Sequence, residues 1–141
     1  MEAGLESGRL ASATVRDVMS PGVVAVSGEL TAGACAEAMH NRRTHAVLVV
    51  DSASREPIGW VSHRDVLMHV LDDPLLTLAS TSVSQEPAWI DPAATVEEAV
   101  RRMQEEDLTH LLVGEPGTIA EGVISSWDVV GYFAERSERR V

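Results

Sequence analysis

Lysine is missing from this sequence, and arginine supplies all 11 positive side chains. Against them stand 22 Asp and Glu, a net charge of −11 and a pI of about 4.7. An acidic surface repels phosphate backbones, which argues against general nucleic-acid binding. A single cysteine, Cys35, excludes an intrachain disulfide and fits a reducing compartment. Its Ala-rich helical surroundings mark it as a small buried core thiol rather than a reactive nucleophile. No apolar run approaches the ~20 residues of a membrane-spanning helix. The longest, around Val47–Val50, is strand-sized. The start, Met1-Glu-Ala-Gly-Leu-Glu6, has neither the basic residues nor the apolar stretch of a secretory signal. The expectation is a cytoplasmic chain with no membrane or nucleic-acid partner. Catalytic signatures are missing too: no Gly-rich phosphate loop, no His-Glu-x-x-His, no Gly-x-Ser-x-Gly and no cysteine–histidine motif. His40, His45, His63, His69 and His110 do not fall into a metal-ligand spacing. No enzyme, no metal and no covalent cofactor are expected.

What the chain does contain is a duplication, within 141 residues of which 45% are hydrophobic. Thr31–Met39 lines up with Thr95–Met103 at an offset of 64. Thr44-His45 and the apolar run after it match Thr109-His110 at 65. Gly59-Trp-Val-Ser62-His-Arg-Asp65 matches Gly122-Val-Ile-Ser125-Ser-Trp-Asp128 at 63. Three blocks in the same order, drifting by one or two residues, indicate two copies of a supersecondary unit. A lone copy buries little surface, so the two are expected to share one core.

Each copy reads helix, strand, helix, strand, strand, helix, an α/β (α+β) pattern. Thr14 is a candidate N-cap for a short helix ending near Met19-Ser20-Pro21. Val23–Val26 reads as a brief strand. Thr31 and Thr95 cap amphipathic helices whose inward residues are Ala34, Ala38 and Met39 in one, and Val96, Ala99, Val100 and Met103 in the other. Glu98, three residues after Thr95, is placed to complete a capping box. His45–Val50 and His110–Val113 read as strands, as do Ile58–Val61 and Gly122–Ile124. Turns are expected at Asp51–Pro57 and Gly114–Gly117. Ser62 and Ser125 cap closing helices expected over Asp65–Leu71 and Asp128–Glu135. The opening helix of the second copy, near Leu75–Thr81, matches worst, and the Met19-Ser20-Pro21 signal has no evident counterpart there. The copies are placed at residues 8–71 and 75–136, with flexible ends at 1–7 and 137–141.

The order of elements resembles the CBS (cystathionine-beta-synthase) repeat. So does the twice-used phrase Gly-hydrophobic-hydrophobic-Ser-x-x-Asp, and so does the opening Thr14-Val-Arg-Asp-Val-Met19-Ser20-Pro21. The resemblance covers about residues 12 to 135 and implies a free-standing tandem CBS pair, packed with pseudo-two-fold symmetry through its sheets. It further implies a regulatory sensor that binds AMP, ADP, ATP or S-adenosylmethionine in the cleft between the repeats. A homodimer formed through the helices and an effector protein are implied as well.

The chemistry of Ser-x-x-Asp agrees with that resemblance. A carboxylate in the first turn of a helix can accept two hydrogen bonds from the vicinal hydroxyls of a ribose, while the helix N-terminus attracts an anion. Asp65 and Asp128 hold these places, with Ser62 and Ser125 beside them. Adenine would lie between apolar strands, with Val24 and Ile58 among the contacts. The resemblance puts His45 and His110 near phosphate, although both may equally be plain strand-start histidines by their position alone. Arg64 adds a bidentate phosphate donor, whereas the second copy has Trp127 at that place. Unequal sites are therefore expected, the Asp65 site being better suited to a phosphorylated ligand. Two other readings compete. An aspartate in a first turn also serves as a partner of the helix dipole. The repeats would then form a ligand-free dimerising interaction module.

Overall fold

The structure, a computed structural model, describes residues 12–71, 73 and 77–138. The chain divides into two compact units. One is continuous, Val23–Pro87; the other is split, joining Met1–Gly22 to Ala88–Val141. The units do not follow the sequence repeats. The stretch that opens each repeat belongs to the unit built by the other.

The continuous unit holds β2 (Ala25–Ser27), α2 (Ala32–Arg42), β3 (Ala46–Val50), β4 (Pro57–Ser62) and α3 (His63–His69), followed by one 3-10 turn, Ala79–Thr81. Its sheet runs β2-β3-β4, with β2 parallel and β4 antiparallel to β3. Strand alternation sends Val47, Val49 and Val61 to one face, where they join Val26, Cys35, Met39 and Ala79 in a buried cluster. Thr31 Oγ1 accepts from Ala34 N at 3.1 Å and starts α2. Arg43, with φ 53°, ends it in the left-handed region. Asp51 Oδ1 accepts from Ala53 N and Ser54 N at 2.9 and 2.8 Å, which shapes the turn expected there. Those bonds hold the exposed Asp51 carboxyl below its usual range.

The split unit holds α1 (Val15–Val18), β1 (Ser20–Pro21), β5 (Trp89–Ile90), α4 (Val96–Glu106), β6 (His110–Val113), β7 (Gly122–Ser125) and α5 (Ser126–Glu138). Its sheet order is β1-β7-β6-β5. Val15 from the N-terminal stretch is fully buried with Ile90, Ala99, Leu111, Val113 and Ile124. The short α1 is therefore held by core burial, roughly 1.5–3 kcal/mol for one such side chain, rather than by helix propensity. Its backbone is tied in as well, Val15 N donating to Ala94 O at 2.8 Å and Arg16 N to Pro92 O at 3.0 Å.

Several expectations need correction. The first strand is Ala25–Ser27, not Val23–Val26. The closing helices start at His63 and Ser126, because their capping serines sit at the strand ends. Thr95 Oγ1 does accept from Glu98 N at 3.0 Å, but the closed capping boxes form elsewhere, at Ser62 with Asp65 and at Thr14 with Asp17. Of the helix expected over Leu75–Thr81, residues 75 and 76 lie outside the described residues, and the rest carries only the 3-10 turn. α5 continues to Glu138, past the expected end at Glu135, while residues 1–7 and 139–141 lie outside the described residues.

Candidate functional site

The duplicated Gly-x-x-Ser-x-x-Asp phrase forms a strand-to-helix corner in each unit. In the continuous unit, β4 ends at Ser62 and α3 begins at once. Asp65 N donates to Ser62 Oγ at 3.2 Å, and Ser62 N donates to Asp65 Oδ2 at 2.7 Å. This reciprocal pair satisfies two backbone donors at the helix start. The Ser62 hydroxyl also donates to Asp65 Oδ2, at 3.0 Å. A third donor comes from outside the motif: Ser84 Oγ, 2.6 Å from the same oxygen.

Ser84 arrives on an extended segment that lies along β4. Ser84 N donates to Trp60 O at 3.1 Å, and Trp60 N to Gln85 O at 2.8 Å. That approach requires Gly59, since a Cβ there would overlap Val83 Cγ1 and Gln85 O. The motif glycine is thus explained by a backbone passing over it.

The split unit repeats the device. Asp128 N donates to Ser125 Oγ at 3.1 Å and Ser125 N to Asp128 Oδ2 at 2.9 Å. Here the outside serine is Ser20 on β1, whose Oγ donates to Asp128 Oδ1 at 3.0 Å. β1 pairs with β7 at Ser20–Val123 and Pro21–Gly122, and a Cβ on Gly122 would collide with Ser20 O. Ser20 and Ser84 stand 64 residues apart, the offset of the duplication. The counterpart of Met19-Ser20-Pro21, which the sequence did not reveal, is therefore Val83-Ser84-Gln85. The signal was present in that spacing but hidden by the different neighbours of the two serines.

The two corners differ in what they leave open. Asp65 gathers all three of its donors on Oδ2, and among the described residues none reaches Oδ1. Asp128 has a donor on each oxygen. Both aspartates are half-buried, and the residues before them, Arg64 and Trp127, are exposed. Ile58 is 37% exposed and shares a face of β4 with Ser62.

The remaining expected site residues have other engagements. Val24 packs on the continuous unit's core, and its carbonyl accepts from Leu48 N at 2.9 Å. His45 precedes β3 rather than starting it; its carbonyl accepts from His63 N at 2.8 Å, and the two rings meet edge-on with centroids 5.3 Å apart. His110 does start β6, half-buried, with Nδ1 2.9 Å from Thr109 Oγ1.

Two hollows lie away from these corners. One of about 260 Å³ is bordered by Met39, His40, Thr44, His63 and Val66. The other, about 290 Å³, is bordered by Asp91, Glu115 and Glu121, a lining that repels phosphate. Cys35 is buried, and burial pushes its thiol up to about 11, which keeps it protonated and unreactive at neutral pH. Among the described residues no group of three or more His, Cys, Asp or Glu could hold a metal ion, and no helix is long and apolar enough to cross a membrane.

Comparison with known proteins gives a family and a fold. Similar folds occur in a CBS-domain containing protein from Agrobacterium tumefaciens, with 22% identity, TM-score 0.71, and 84% of this chain and 97% of that one covered. The CBS domain of the bacterial CNNM/CorC family Mg2+ transporter in complex with ATP gives 17% identity, TM-score 0.78, and coverage of 94% and 95%. A CBS domain protein from Pyrobaculum aerophilum complexed with AMP gives 18%, 0.71, and coverage of 86% and 98%. A search of curated protein sequences finds no match. The CBS domain model matches residues 15–72 and again 80–135. With both copies of its duplicated corner inside those two spans, the chain belongs to the CBS domain family, as a protein carrying a pair of such domains.

Proposed function

We propose that this protein is a non-catalytic regulatory module of the cytoplasm that binds an adenosine-containing ligand, AMP, ADP, ATP or S-adenosylmethionine, and acts as a homodimer on an effector protein. Its functional repeats are taken as residues 8–71 and 75–136. One observation carries the reading: the Asp65 carboxylate is fixed through Oδ2 by three donors, while Oδ1 receives none among the described residues. A carboxylate so oriented is ready to accept from a ribose hydroxyl without reorganising. Arg64, exposed beside it, offers a forked donor for phosphate, and Ile58 an apolar contact on the Ser62 face. Ser62, His45, Val24, His110 and Ser125 complete the proposed set of ligand-binding residues. The AMP and ATP complexes of two structural neighbours support the ligand class.

Asp128 favours a second reading for its own corner. Both its oxygens are engaged, and Trp127 replaces the arginine. That corner serves as structure, and a module with both corners so used would be a ligand-free dimerising platform. Thermal shift with AMP, ADP, ATP and S-adenosylmethionine separates the two. A ligand at ~100 times its Kd adds about 2.7 kcal/mol to stability. Asp65→Asn is expected to abolish the shift and Asp128→Asn to preserve it. A flat response of the wild-type protein to all four compounds would overturn the nucleotide reading and leave the interaction platform.

A further inference from the structure

Both units expose apolar side chains on the closing helix, at matching positions. On and just after α3, Leu67 is 67% and Val70 52% exposed; on α5 Val130 is 55% and Phe133 43% exposed. The offset from Leu67 to Val130 and from Val70 to Phe133 is 63, that of the Ser62–Ser125 corner. Leu71 and Trp127 enlarge the two faces, at 96% and 71%. Isolated exposed apolar residues need no explanation, but a cluster on one helix repeated in the second copy marks a surface made to be covered.

The two faces differ in charge. α2 and α3 with their caps carry Arg42, Arg43 and Arg64 against Glu37 and Asp65. α4 and α5 are strongly acidic: Glu97, Glu98, Glu105, Glu106, Asp107 and Glu135 lie on or cap them along with Asp128. Arg101 and Arg102 are committed within α4, to Glu97 at 2.6 Å and Glu106 at 2.8 Å. Two α5 faces brought together would oppose two acidic helix pairs. An α3 face on an α5 face opposes arginine to carboxylate around a shared apolar centre.

We propose that the partner of each face is the unlike face of a second copy, α3 of one chain packing on α5 of the other, repeated by a two-fold axis. This rests on the homodimer reading above and assigns its pairing.

The test uses the full-length chain with Leu67→Cys in one preparation and Val130→Cys in another. Both positions are exposed, so folding is preserved, and native Cys35 is buried. Under mild oxidation the mixture is expected to yield several-fold more disulfide-linked dimer than either preparation alone. Raising salt from about 50 mM to about 500 mM is expected to weaken the wild-type dimer in sedimentation, because screening removes the attraction. Strong linking within a single preparation, or a dimer tightened by salt, would overturn the unlike pairing and leave the homodimer standing. A wild-type chain that sediments as a monomer at every salt concentration would overturn the homodimer itself.

Discussion

Ser84 donates its hydroxyl to Asp65 Oδ2 across 2.6 Å, from a segment 19 residues further along the chain. Ser20 does the same for Asp128 at 3.0 Å, from 108 residues away. The aspartate of the repeated motif therefore ties three things together: the end of a strand, the start of a helix, and the opening segment of the other repeat. A ligand that takes a hydrogen bond to Asp65 joins a group already engaged in holding the fold.

Removing the outside serine tests that tie. Ser84→Ala is expected to lower stability by about 1 kcal/mol, the usual net contribution of one hydrogen bond. Ser20→Ala is expected to do the same in the split unit. Urea denaturation measures both, and an unchanged midpoint in either variant would show that its bond contributes nothing.

The two motif glycines give a sharper result. Any Cβ on Gly59 meets Gln85 O, and on Gly122 it meets Ser20 O. Backbone atoms cannot rotate away, so Gly59→Ala and Gly122→Ala each are expected to cost about 1–3 kcal/mol. Gly117, with open space around its Cβ position, lies in a turn at φ +87°. Gly117→Ala is expected to show only the backbone cost, about 1 kcal/mol. Differential scanning calorimetry of the three variants should rank Gly117→Ala as the mildest.

Cys35 sets the alkaline limb of stability. Burial raises its thiol from 9.0 to about 11. Between those values the unfolded chain ionises the thiol while the folded chain keeps it neutral. Its contribution is complete below pH 9 and is lost as pH climbs toward 11. Chemical denaturation across that range is expected to show declining stability, with a shallower decline in Cys35→Ala. Thiol-reactive dye at pH 8 should label the native protein slowly and the urea-unfolded chain at once.

Core packing predicts a contrast within the split unit. Leu111 is fully buried and Ile119 is 96% exposed. Leu111→Ala is expected to cost 2–5 kcal/mol, roughly, through transfer and cavity losses. Ile119→Ala should stay within about 0.5 kcal/mol of wild type. Equal losses at both positions would contradict the assigned packing.

The duplication, the helix caps at Thr31 and Thr95, the core thiol and the Ser-x-x-Asp corners were all legible in the residue string. They depend on neighbours three or four positions away, or on spacing that recurs by about 63, and such relations survive in one dimension. The single 3-10 turn at Ala79–Thr81 was not, because one turn of helix leaves no period to read. The same limit shifted the first strand to Ala25–Ser27, since three residues make no alternation.

Tertiary structure alone decided which serine each aspartate would meet. Val15, Ser20 and Pro21 look like the opening of the first repeat, yet they are buried in or paired with the sheet of the second. Nothing local directs that exchange: it follows from burying Val15 and from a strand edge that only a glycine leaves accessible. For the same reason the roles of Gly59 and Gly122 stayed hidden, because what a missing Cβ makes room for is a backbone remote in sequence. The amino-acid order specified the twin corners, and the folded chain settled that they are unequal, by carrying its third donor to Oδ2 of Asp65 and to Oδ1 of Asp128.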